Sequence, residues 1–409
     1  RATGYRFLMR VSSLELTNFR GFEKASIEFE PQLTVLVGVN GAGKTSVLDA
    51  LSVLLARSIH SNGLPNQPPA LTDRDVLVGA ETTEVRFKLR TSTWTERHTR
   101  GHQLGSYFPY EPGVRTIKAR HSLAIYYPSK RAVVTTPERL REPYAFQPVD
   151  ALDLALEART DFRLFFEWFR DREDLENQER ARVSTSYRDP ALEVVRKAIE
   201  NFMGKNVSDP RVQRVPPRFV VTKDGSTLEI DQLSDGERNL LAMVGDLARR
   251  LAMASPTDAL AHEAVVLIDE VELHLHPGLQ REILPRLRKT FPNTQFIVTT
   301  HSPQVLASVH AKNVRLLDAF QVKPLERSTW QRDTNTILES VFGDPGRPPE
   351  VAKLLAKLEQ AVETDEVEQA RALIRELKQK VEGTDPDVLF WEQLLPPETT
   401  EDAAKQGAT

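Results

Sequence analysis

The segment Gly38-Val-Asn-Gly-Ala-Gly-Lys-Thr45 carries the residue types that hold phosphate groups. It matches the spacing Gly-x-x-x-x-Gly-Lys-Ser/Thr, in which glycines let the backbone wrap an anion and point successive N–H groups at it. That spacing assigns Lys44 to the β- and γ-phosphates of a nucleotide and Thr45 to Mg²⁺. We therefore predict an ATP site whose contacts in this loop are Gly38, Asn40, Gly41, Ala42, Gly43, Lys44, Thr45 and Ser46.

Two adjacent acids end the apolar run Val265-Val-Leu-Ile-Asp269-Glu270. An apolar strand that delivers acids at its end is the Walker B arrangement of nucleotide hydrolases. We predict that Asp269 holds Mg²⁺, directly or through water, and that Glu270 is the general base that polarises the attacking water. Two acids that cap a strand are common, but their combination with a complete phosphate loop favours the catalytic interpretation.

The segment Leu233-Ser-Asp-Gly-Glu-Arg238 precedes a predicted helix about thirty residues before the acid pair. It resembles the signature loop of ABC ATPases and SMC-like proteins. In that family the loop faces the γ-phosphate of a neighbouring subunit's nucleotide, which here involves Ser234, Asp235, Gly236 and Glu237 in trans. The alternative is a plain capping box, with Ser234 as N-cap and Glu237 at the third helical position.

A histidine ends the segment Phe296-Ile-Val-Thr-Thr-His301, which reads as a core strand. The resemblance to the same family places its switch histidine here, where His301 would contact the γ-phosphate and sense hydrolysis. The resemblance also covers Asn18-Phe-Arg-Gly-Phe22, a strand and turn that puts Arg20 near the nucleotide; a surface-turn arginine is the alternative. His274 and His276 have the spacing of a metal pair, but they follow Walker B and resemble the D-loop region instead.

Buried strands and amphipathic helices are predicted around these motifs. The continuous apolar run Leu33–Val37 indicates a strand buried on both faces, and a helix follows over 44–57. Further strands are predicted at 84–90, 123–127, 264–268 and 294–299, with two short ones within 313–326. Asp224-Gly225 indicates a hairpin turn between strands at 219–222 and 227–230, and the stretch 97–115 reads as loop.

Two helical regions are predicted outside the nucleotide core. Phe162, Phe165, Phe166 and Phe169 lie at helical spacing, which favours core packing over partner docking, and the charged stretch 170–182 is expected to continue as a solvated helix or arm. Beyond 345–349, two apolar stripes over 351–362 and 367–381 predict a helical hairpin, and the polar tail from 396 is expected to be disordered.

The composition excludes several classes of function. The 409 residues include no cysteine, which removes disulfides and thiolate sites and fits a cytoplasmic protein. No apolar run reaches the length of a membrane span. The net charge of −4 hides an asymmetry, with 12 Lys/Arg against 3 Asp/Glu over 86–141 and 8 against 14 over 345–409. This contrast suggests a face for an anionic partner such as nucleic acid over 86–141, or simply separate solvated surfaces.

The motifs together resemble RecF/OLD-type ABC ATPases over about 10–320. Four further stretches resemble the ATPase subunits of Septu defence systems (PtuA) and of some retrons: Tyr126-Tyr-Pro-Ser-Lys-Arg131, Phe165-Phe-Glu-Trp-Phe-Arg170 with Arg172-Glu-Asp-Leu-Glu-Asn177, Asp333-Thr-Asn-Thr-Ile-Leu-Glu-Ser340, and the terminal hairpin. The resemblance implies a prokaryotic anti-phage ATPase that forms homodimers or larger oligomers and controls a separately encoded effector, such as a PtuB-like HNH nuclease. The alternatives are a RecF-like DNA-repair ATPase and an assembly scaffold that binds ATP with little hydrolysis.

The predicted architecture is an α/β, ABC-type P-loop head, a mixed sheet with flanking helices, carrying a helical insertion and a C-terminal helical hairpin. The expected divisions are a cloning remnant (1–8), an N-lobe (9–149), the insertion (150–215), a C-lobe (216–330), the helical region (331–395) and the tail (396–409). ATP and Mg²⁺ are the expected cofactors. Since no H-N-H pattern follows His301, the nuclease would be a separate chain.

Overall fold

A computed structural model describes the protein. The chain divides into two compact units, of which the first ends at Ile337 and the second begins at Leu338. The described residues are 10–60, 69–89, 92–102, 123–129, 146–156, 162–204, 206–255, 259–323, 325, 328–344, 346–381, 383 and 385–396. The predicted remnant at 1–8 and the predicted tail beyond 396 therefore lie outside the described residues. The second unit begins at Leu338, whereas the sequence placed its helical region from 331.

The first unit contains three sheets. The strands are β1 (Val11–Phe19), β2 (Phe22–Glu28), β3 (Leu33–Val37), β4 (Thr82–Leu89), β5 (Ser92–Thr99), β6 (Leu123–Tyr127), β7 (Val207–Arg214), β8 (Pro217–Lys223), β9 (Ser226–Glu229), β10 (Ala264–Ile268), β11 (Thr294–Thr300), β12 (Val314–Asp318) and β13 (Gln321–Lys323). The orders are β2-β1-β4-β5, β13-β12-β3-β11-β10-β6 and β7-β8-β9. The first and third sheets are antiparallel, while the second is parallel except for β13.

Ten α-helices lie between and after these strands in the described part of the chain. They are α1 (Lys44–His60), α2 (Phe162–Arg182), α3 (Pro190–Met203), α4 (Asp235–Ala254), α5 (Pro277–Thr290), α6 (Pro303–Leu306), α7 (Thr334–Ile337), α8 (Pro349–Glu363), α9 (Val367–Lys380) and α10 (Pro386–Leu394). The mixed central sheet with flanking helices confirms the predicted P-loop fold class. The second unit holds α8, α9 and α10 around its own apolar core, so the predicted hairpin forms and a third helix joins it.

The first helix, α1, lies in a core between two sheets. Its buried face, which includes Leu48, Leu51 and Leu55, shares one apolar cluster with Leu16 of the antiparallel sheet and Leu267 of the parallel sheet. Fully buried strands explain the continuous apolar run of β3, whose five residues are all buried. The start of α1 is therefore fixed against both sheets, and the phosphate loop joins β3 to it.

Two local predictions need correction. The stretch 97–115 was predicted as loop, but β5 continues to Thr99, paired with β4; residues 103–122 lie outside the described part. The stretch 170–182 was predicted as a solvated helix, and this was wrong for its inner face. There Glu173 and Glu176 are buried, because arginines from α3 and β7 reach them.

The two buried glutamates of α2 form ion pairs with three arginines. We call this group the insertion ion cluster, and its members are Glu173, Glu176, Arg180, Arg196 and Arg214. Arg196 lies 3.1 Å from both Glu173 and Glu176, Arg214 lies 2.9 Å from Glu173, and Arg180 lies 2.7 Å from Glu176. The backbone N–H groups of Val212 and Asp189 donate to Oε2 of Glu173 and Oε2 of Glu176, at 3.1 and 2.8 Å. Each buried carboxylate oxygen in the cluster thus has a donor.

The aromatic stripe of α2 packs as predicted. Phe162, Phe165 and Phe169 surround Phe219 of β8 with ring centroids 5.1–6.2 Å apart. The same helix crosses α4 at Gly245, where a Cβ atom would lie 2.7 Å from the Phe165 ring. Helix α4, which begins in the signature segment, is therefore held directly against the insertion.

Candidate functional site

The phosphate loop bends through left-handed backbone at its glycines. Gly41 and Gly43 have φ of 81° and 98°, a region that side chains other than glycine rarely adopt. A Cβ on Gly43 would also lie 2.6 Å from the Phe22 ring, so the position excludes any larger residue. The loop ends at Lys44, the first residue of α1, whose N-terminus adds partial positive charge. This backbone can surround an anion.

Lys44 is buried beneath this loop. Its Nζ donates to the carbonyl oxygens of Gly38 and Val39 at 2.9 and 3.0 Å and lies 3.5 Å from Nδ1 of His301. Burial lowers the pKa of Lys44 to about 8, although the nearby carboxylates, Asp269 first among them, favour the charged form. The ammonium is thus held on exchangeable carbonyl contacts at the place where phosphates would bind.

A carboxylate and two hydroxyls meet beside the loop. Asp269 follows β10 and is 2% exposed. Thr45 Oγ1 donates to its two oxygens at 3.2 and 3.1 Å, and Thr299 Oγ1 donates to Oδ1 at 2.6 Å. Hydroxyl and carboxylate oxygens are the donors that Mg²⁺ prefers. Thr45 and Asp269, from segments 224 residues apart, therefore form a donor set that fits the ion.

A hydrogen bond between Glu270 and Thr299 joins the ends of β10 and β11. The Glu270 backbone N–H donates to Thr299 Oγ1 at 2.7 Å, and Glu270 has φ of 47°. A left-handed backbone at a non-glycine residue costs free energy and recurs at functional sites. It turns the half-buried Glu270 side chain away from the direction that a continuing strand would impose.

His301 lies across the loop from Asp269. Its backbone N–H donates to Oε1 of Glu272 at 2.5 Å. Burial first, and the positive charge of Lys44 second, lower the pKa of His301, so the ring is neutral at pH 7. A charged Lys44 can only donate, so a hydrogen bond between the two requires Nδ1 as the acceptor and leaves the ring proton on Nε2.

Arg20, in the turn between β1 and β2, contacts the start of α1. Its Nη1 is 2.6 Å from Asp49 Oδ2 and 3.4 Å from Ser46 Oγ, while its Nε is 3.0 Å from Asp75 Oδ1. Tyr126 also donates to Asp49, at 3.1 Å. The structure therefore places Arg20 beside the P-loop helix, with its guanidinium engaged by two carboxylates.

The signature segment forms the predicted capping box. Ser234 is the N-cap of α4 and accepts from the backbone N–H of Glu237, whose carboxylate accepts from the Ser234 backbone N–H at 3.3 Å. Ser234 and Asp235 are exposed, and Lys223 pairs with Glu237 at 2.7 Å. In the described part of the chain, no hydrogen bond joins residues 234–237 to the phosphate loop. The predicted role in trans stays a prediction.

The histidines after Walker B have local structural contacts. His276 is the N-cap of α5, and its Nδ1 accepts from the Gly278 N–H at 3.3 Å. His274 has φ of 62°. A Cβ atom on Gly236 would lie only 2.6 Å from the His274 carbonyl oxygen. This close approach requires glycine at Gly236 and seats the signature turn on the segment that follows Walker B.

The structure describes the basic stretch 86–141 only in part. Most of it lies outside the described residues, including Lys130 and Arg131. Within the described part, Arg86 pairs with Glu84 at 2.9 Å and with Glu15 at 3.4 Å. Opposite charge thus offsets this arginine. No helix in the described ranges has the length and apolar character needed to cross a membrane.

Sequence reasoning missed Thr299 and Glu272, which complete the site. Val298 pairs with Ile268 in the parallel sheet, so Thr299 and Asp269 lie side by side at the ends of β11 and β10. Aligning the ends of the two apolar runs would have indicated Thr299. Glu272 gave no comparable signal, because its partner is a backbone N–H 29 residues away.

Comparisons with known proteins match the whole nucleotide core. A family model described as "AAA domain, putative AbiEii toxin, Type IV TA system" matches residues 92–307, and a second, "AAA ATPase domain", matches residues 9–97. The first spans more than half of the chain. It contains the signature segment, the Walker B acids and His301, while the second contains the phosphate loop.

Individual relatives extend the match over most of the chain. The "Retron Ec83 probable ATPase" of Escherichia coli is 28% identical, covering 93% of this chain and 85% of that protein. The Septu protein PtuA of Bacillus thuringiensis is 21% identical, covering 88% and 91%. Among solved structures, the SMC head domain from Thermotoga maritima has a TM-score of 0.43 at 18% identity, covering 78% of this chain and 100% of that one.

Proposed function

This chain belongs to the AAA-domain family whose model matches residues 92–307, as an ABC/SMC-like ATPase related to Septu PtuA, and we propose that it binds and hydrolyses Mg–ATP. One observation carries the proposal. Lys44, Thr45, Asp269 and His301, contributed by three separate segments, meet around a single glycine loop. That combination suits a triphosphate with its metal ion.

Binding begins with an exchange of partners at Lys44. Its ammonium holds two loop carbonyls, and a triphosphate would replace them with β- and γ-oxygens, which are stronger charged acceptors. The loop N–H groups and the N-terminus of α1 face the same anion. When Lys44 exchanges the two carbonyl oxygens for phosphate oxygens, it would also lose its contact with His301.

Thr45 and Asp269 would hold Mg²⁺ on the phosphate side of the site. When bound, the ion offsets the charge that develops on the phosphate oxygens. Thr299 donates to Asp269 Oδ1 at 2.6 Å, which fixes the orientation of the carboxylate. Second-sphere bonds of this kind orient a ligand before the metal arrives.

Hydrolysis would use Glu270 and His301. Glu270 emerges from the left-handed turn after Asp269, a place from which its carboxylate can accept a proton from water. His301 is neutral with the proton on Nε2, so it can donate a hydrogen bond to a γ-phosphate oxygen without carrying a charge. These two residues would act on opposite partners of the reaction, the water and the phosphate.

The signature segment would complete the site of a second copy. Its exposed N-cap opens a 20-residue helix whose N-terminus carries unused partial positive charge. Its residues form no hydrogen bond to their own phosphate loop within the described ranges, which supports a role in trans. Association of two heads would then place Ser234 and Gly236 of each on the other's nucleotide.

We assign the ATPase to a prokaryotic anti-phage defence complex, as a subunit that controls a separate effector such as an HNH nuclease. Relatives named as retron and Septu proteins support this assignment. The C-terminal unit supports it as well, because it has its own core and leaves Leu389, Phe390 and Leu394 exposed on α10. We propose that this unit holds the effector.

The substitution Lys44→Ala tests the nucleotide site. Removing the ammonium should weaken ATP binding by about 2–5 kcal/mol, since a buried charge pair is truncated. Equilibrium binding of a fluorescent ATP analogue measures the change. Lys24→Ala, an exposed lysine on β2, is the matched control and should bind normally. Unchanged affinity in Lys44→Ala would overturn the site assignment.

A further inference from the structure

Glu272 connects the segment after Walker B to the switch histidine. It lies in the turn between β10 and α5, and its Oε1 accepts the His301 backbone N–H at 2.5 Å. A bond from a charged acceptor to a backbone N–H is stronger than one between neutral groups. The position of the His301 backbone, and therefore of its ring, depends on this carboxylate.

The second oxygen of Glu272 is buried without a hydrogen-bond donor from the described residues. Burying such an oxygen without a donor costs free energy relative to leaving it hydrated. Its negative charge acts on Lys44 and His301, favouring the protonated form of both. Glu272 therefore lies close enough to the site for its charge to act on both residues.

The switch segment has a second bond to the same region. Ser302 Oγ donates to Gln280 Oε1 at 2.6 Å, and Gln280 Nε2 donates to the Leu275 carbonyl at 2.8 Å. Two consecutive residues, His301 and Ser302, are thus anchored to the turn and to α5. A shift of this turn would move both.

The opposite side of the turn supports the signature segment. The His274 carbonyl lies against Gly236, where even a methyl group would come within 2.6 Å. Gly236 is in the first turn of α4, and His274 is two residues beyond Glu272. The turn therefore lies between the surface proposed to meet a neighbour's nucleotide and the histidine of its own site.

We propose that Glu272 is a positioning residue that couples the signature turn to the switch histidine. The proposal rests on the proposed ATPase function. When a second head engages the signature turn, displacement of His274 passes through Glu272 to the His301 N–H and changes how the ring meets the γ-phosphate. Glu272 itself touches no reacting atom.

The contact can be tested without any catalysis. Hydrogen–deuterium exchange of peptides that contain the His301 amide should be faster in Glu272→Ala than in the unmodified protein, and unchanged in Glu272→Gln, whose amide oxygen still accepts. Should the alanine variant fail to fold, Glu272→Met keeps the volume and removes the acceptor. Unchanged exchange in the alanine or methionine variant would overturn the proposal, whatever the protein hydrolyses.

Kinetics then test whether Glu272 acts through His301. We expect Glu272→Ala to lower kcat about 10- to 100-fold by misplacing the ring, with ATP affinity changed less than about threefold. In a His301→Ala background the same substitution should add less than about twofold, because residues that act as a unit are not additive. Glu282→Ala, an exposed glutamate on α5, is the control.

Two kinetic outcomes would count against the coupling. Additive losses in the double variant would show that Glu272 acts independently of His301. Equal losses in Glu272→Gln and Glu272→Ala would show that its charge, and not the hydrogen bond, is what matters. A protein with no hydrolysis at all would instead defeat the proposed function and leave the exchange measurement to decide on Glu272.

Discussion

The insertion ion cluster and the phosphate site both bury charges, but they pair them differently. In the cluster, Glu173 and Glu176 meet arginines and backbone N–H groups at 2.7–3.2 Å. In the site, Lys44 contacts only carbonyls and a neutral imidazole among the described residues, and Glu272 leaves one oxygen without a donor. Every carboxylate oxygen of the cluster has a donor, whereas Glu272 in the site leaves one oxygen without a donor from the described residues.

This difference distinguishes residues that stabilise the fold from residues that can bind a ligand. A buried carboxylate is tolerated when its lone pairs have partners, and such pairing fixes how helices and strands pack. A charge held on weaker partners can exchange them for a ligand at little cost. The two regions should therefore respond oppositely to substitution, the cluster in stability and the site in chemistry.

The largest contrast is expected from Glu270→Gln. Losing the proposed general base should slow hydrolysis about 10²- to 10⁴-fold while ATP still binds, so the variant should retain ATP and stabilise the proposed head dimer. Single-turnover phosphate release and light scattering with ATP measure the two effects. Glu368→Gln, exposed on α9, should behave like the unmodified protein. Hydrolysis as fast as in the unmodified protein would exclude Glu270 as the base.

The opposite result is expected from Glu176→Ala. Removing this fully buried carboxylate leaves Arg196 and Arg180 without their partner, so unfolding should become about 3–5 kcal/mol easier. ATP affinity of the folded fraction should not change. Urea unfolding followed by circular dichroism measures the loss. Glu179→Ala, which breaks the surface pair with Arg182, should cost at most about 1 kcal/mol.

A stability loss confined to the control, or a loss of ATP affinity in Glu176→Ala, would contradict the separation of the two regions.

The two regions also differ in how far the sequence predicts them. Motifs that lie on one continuous segment, such as Gly38–Ser46 and Val265–Glu270, were predictable because their spacing encodes the geometry.

Contacts between distant segments were not predictable in the same way. Glu176 was expected to be solvated because it lies in a charged stretch, yet its partner Arg196 comes from the next helix. Glu272 and Thr299 join the site only through the order and register of the parallel sheet. A local pattern cannot state which strands become neighbours, and that choice decides which charges are paired.

The smallest effect is expected from pH. Burial lowers the pKa of Lys44 to about 8, below the 10.5 of an exposed lysine. Between these values the unfolded chain holds a proton that the folded chain has lost, so the Lys44 contribution to stability rises with pH through this window. Since the proposed site binds ATP through the ammonium, the affinity for ATP should fall about tenfold per pH unit above 8.

Proton uptake on binding gives the sharper measurement. Titration calorimetry in buffers of different ionisation enthalpy should show almost no uptake by Lys44 at pH 7 and nearly one proton at pH 9.5. Lys44→Arg keeps its charge at both values and should show neither uptake nor the fall in affinity. Equal uptake in the two proteins would assign the proton to another group.

The sheet order has a consequence for synthesis of the chain on the ribosome. Strand β3, which leads into the phosphate loop, pairs with β11 and β12 among the described residues, and Leu33 pairs with Phe296. At about 5–20 residues per second, translation reaches β11 roughly 13–50 s after β3 has been made. Until then the strand lacks both neighbours, and Lys44 lacks His301. An interrupted translation product that ends before β11 would therefore contain the glycine loop without the strands that position it and without His301.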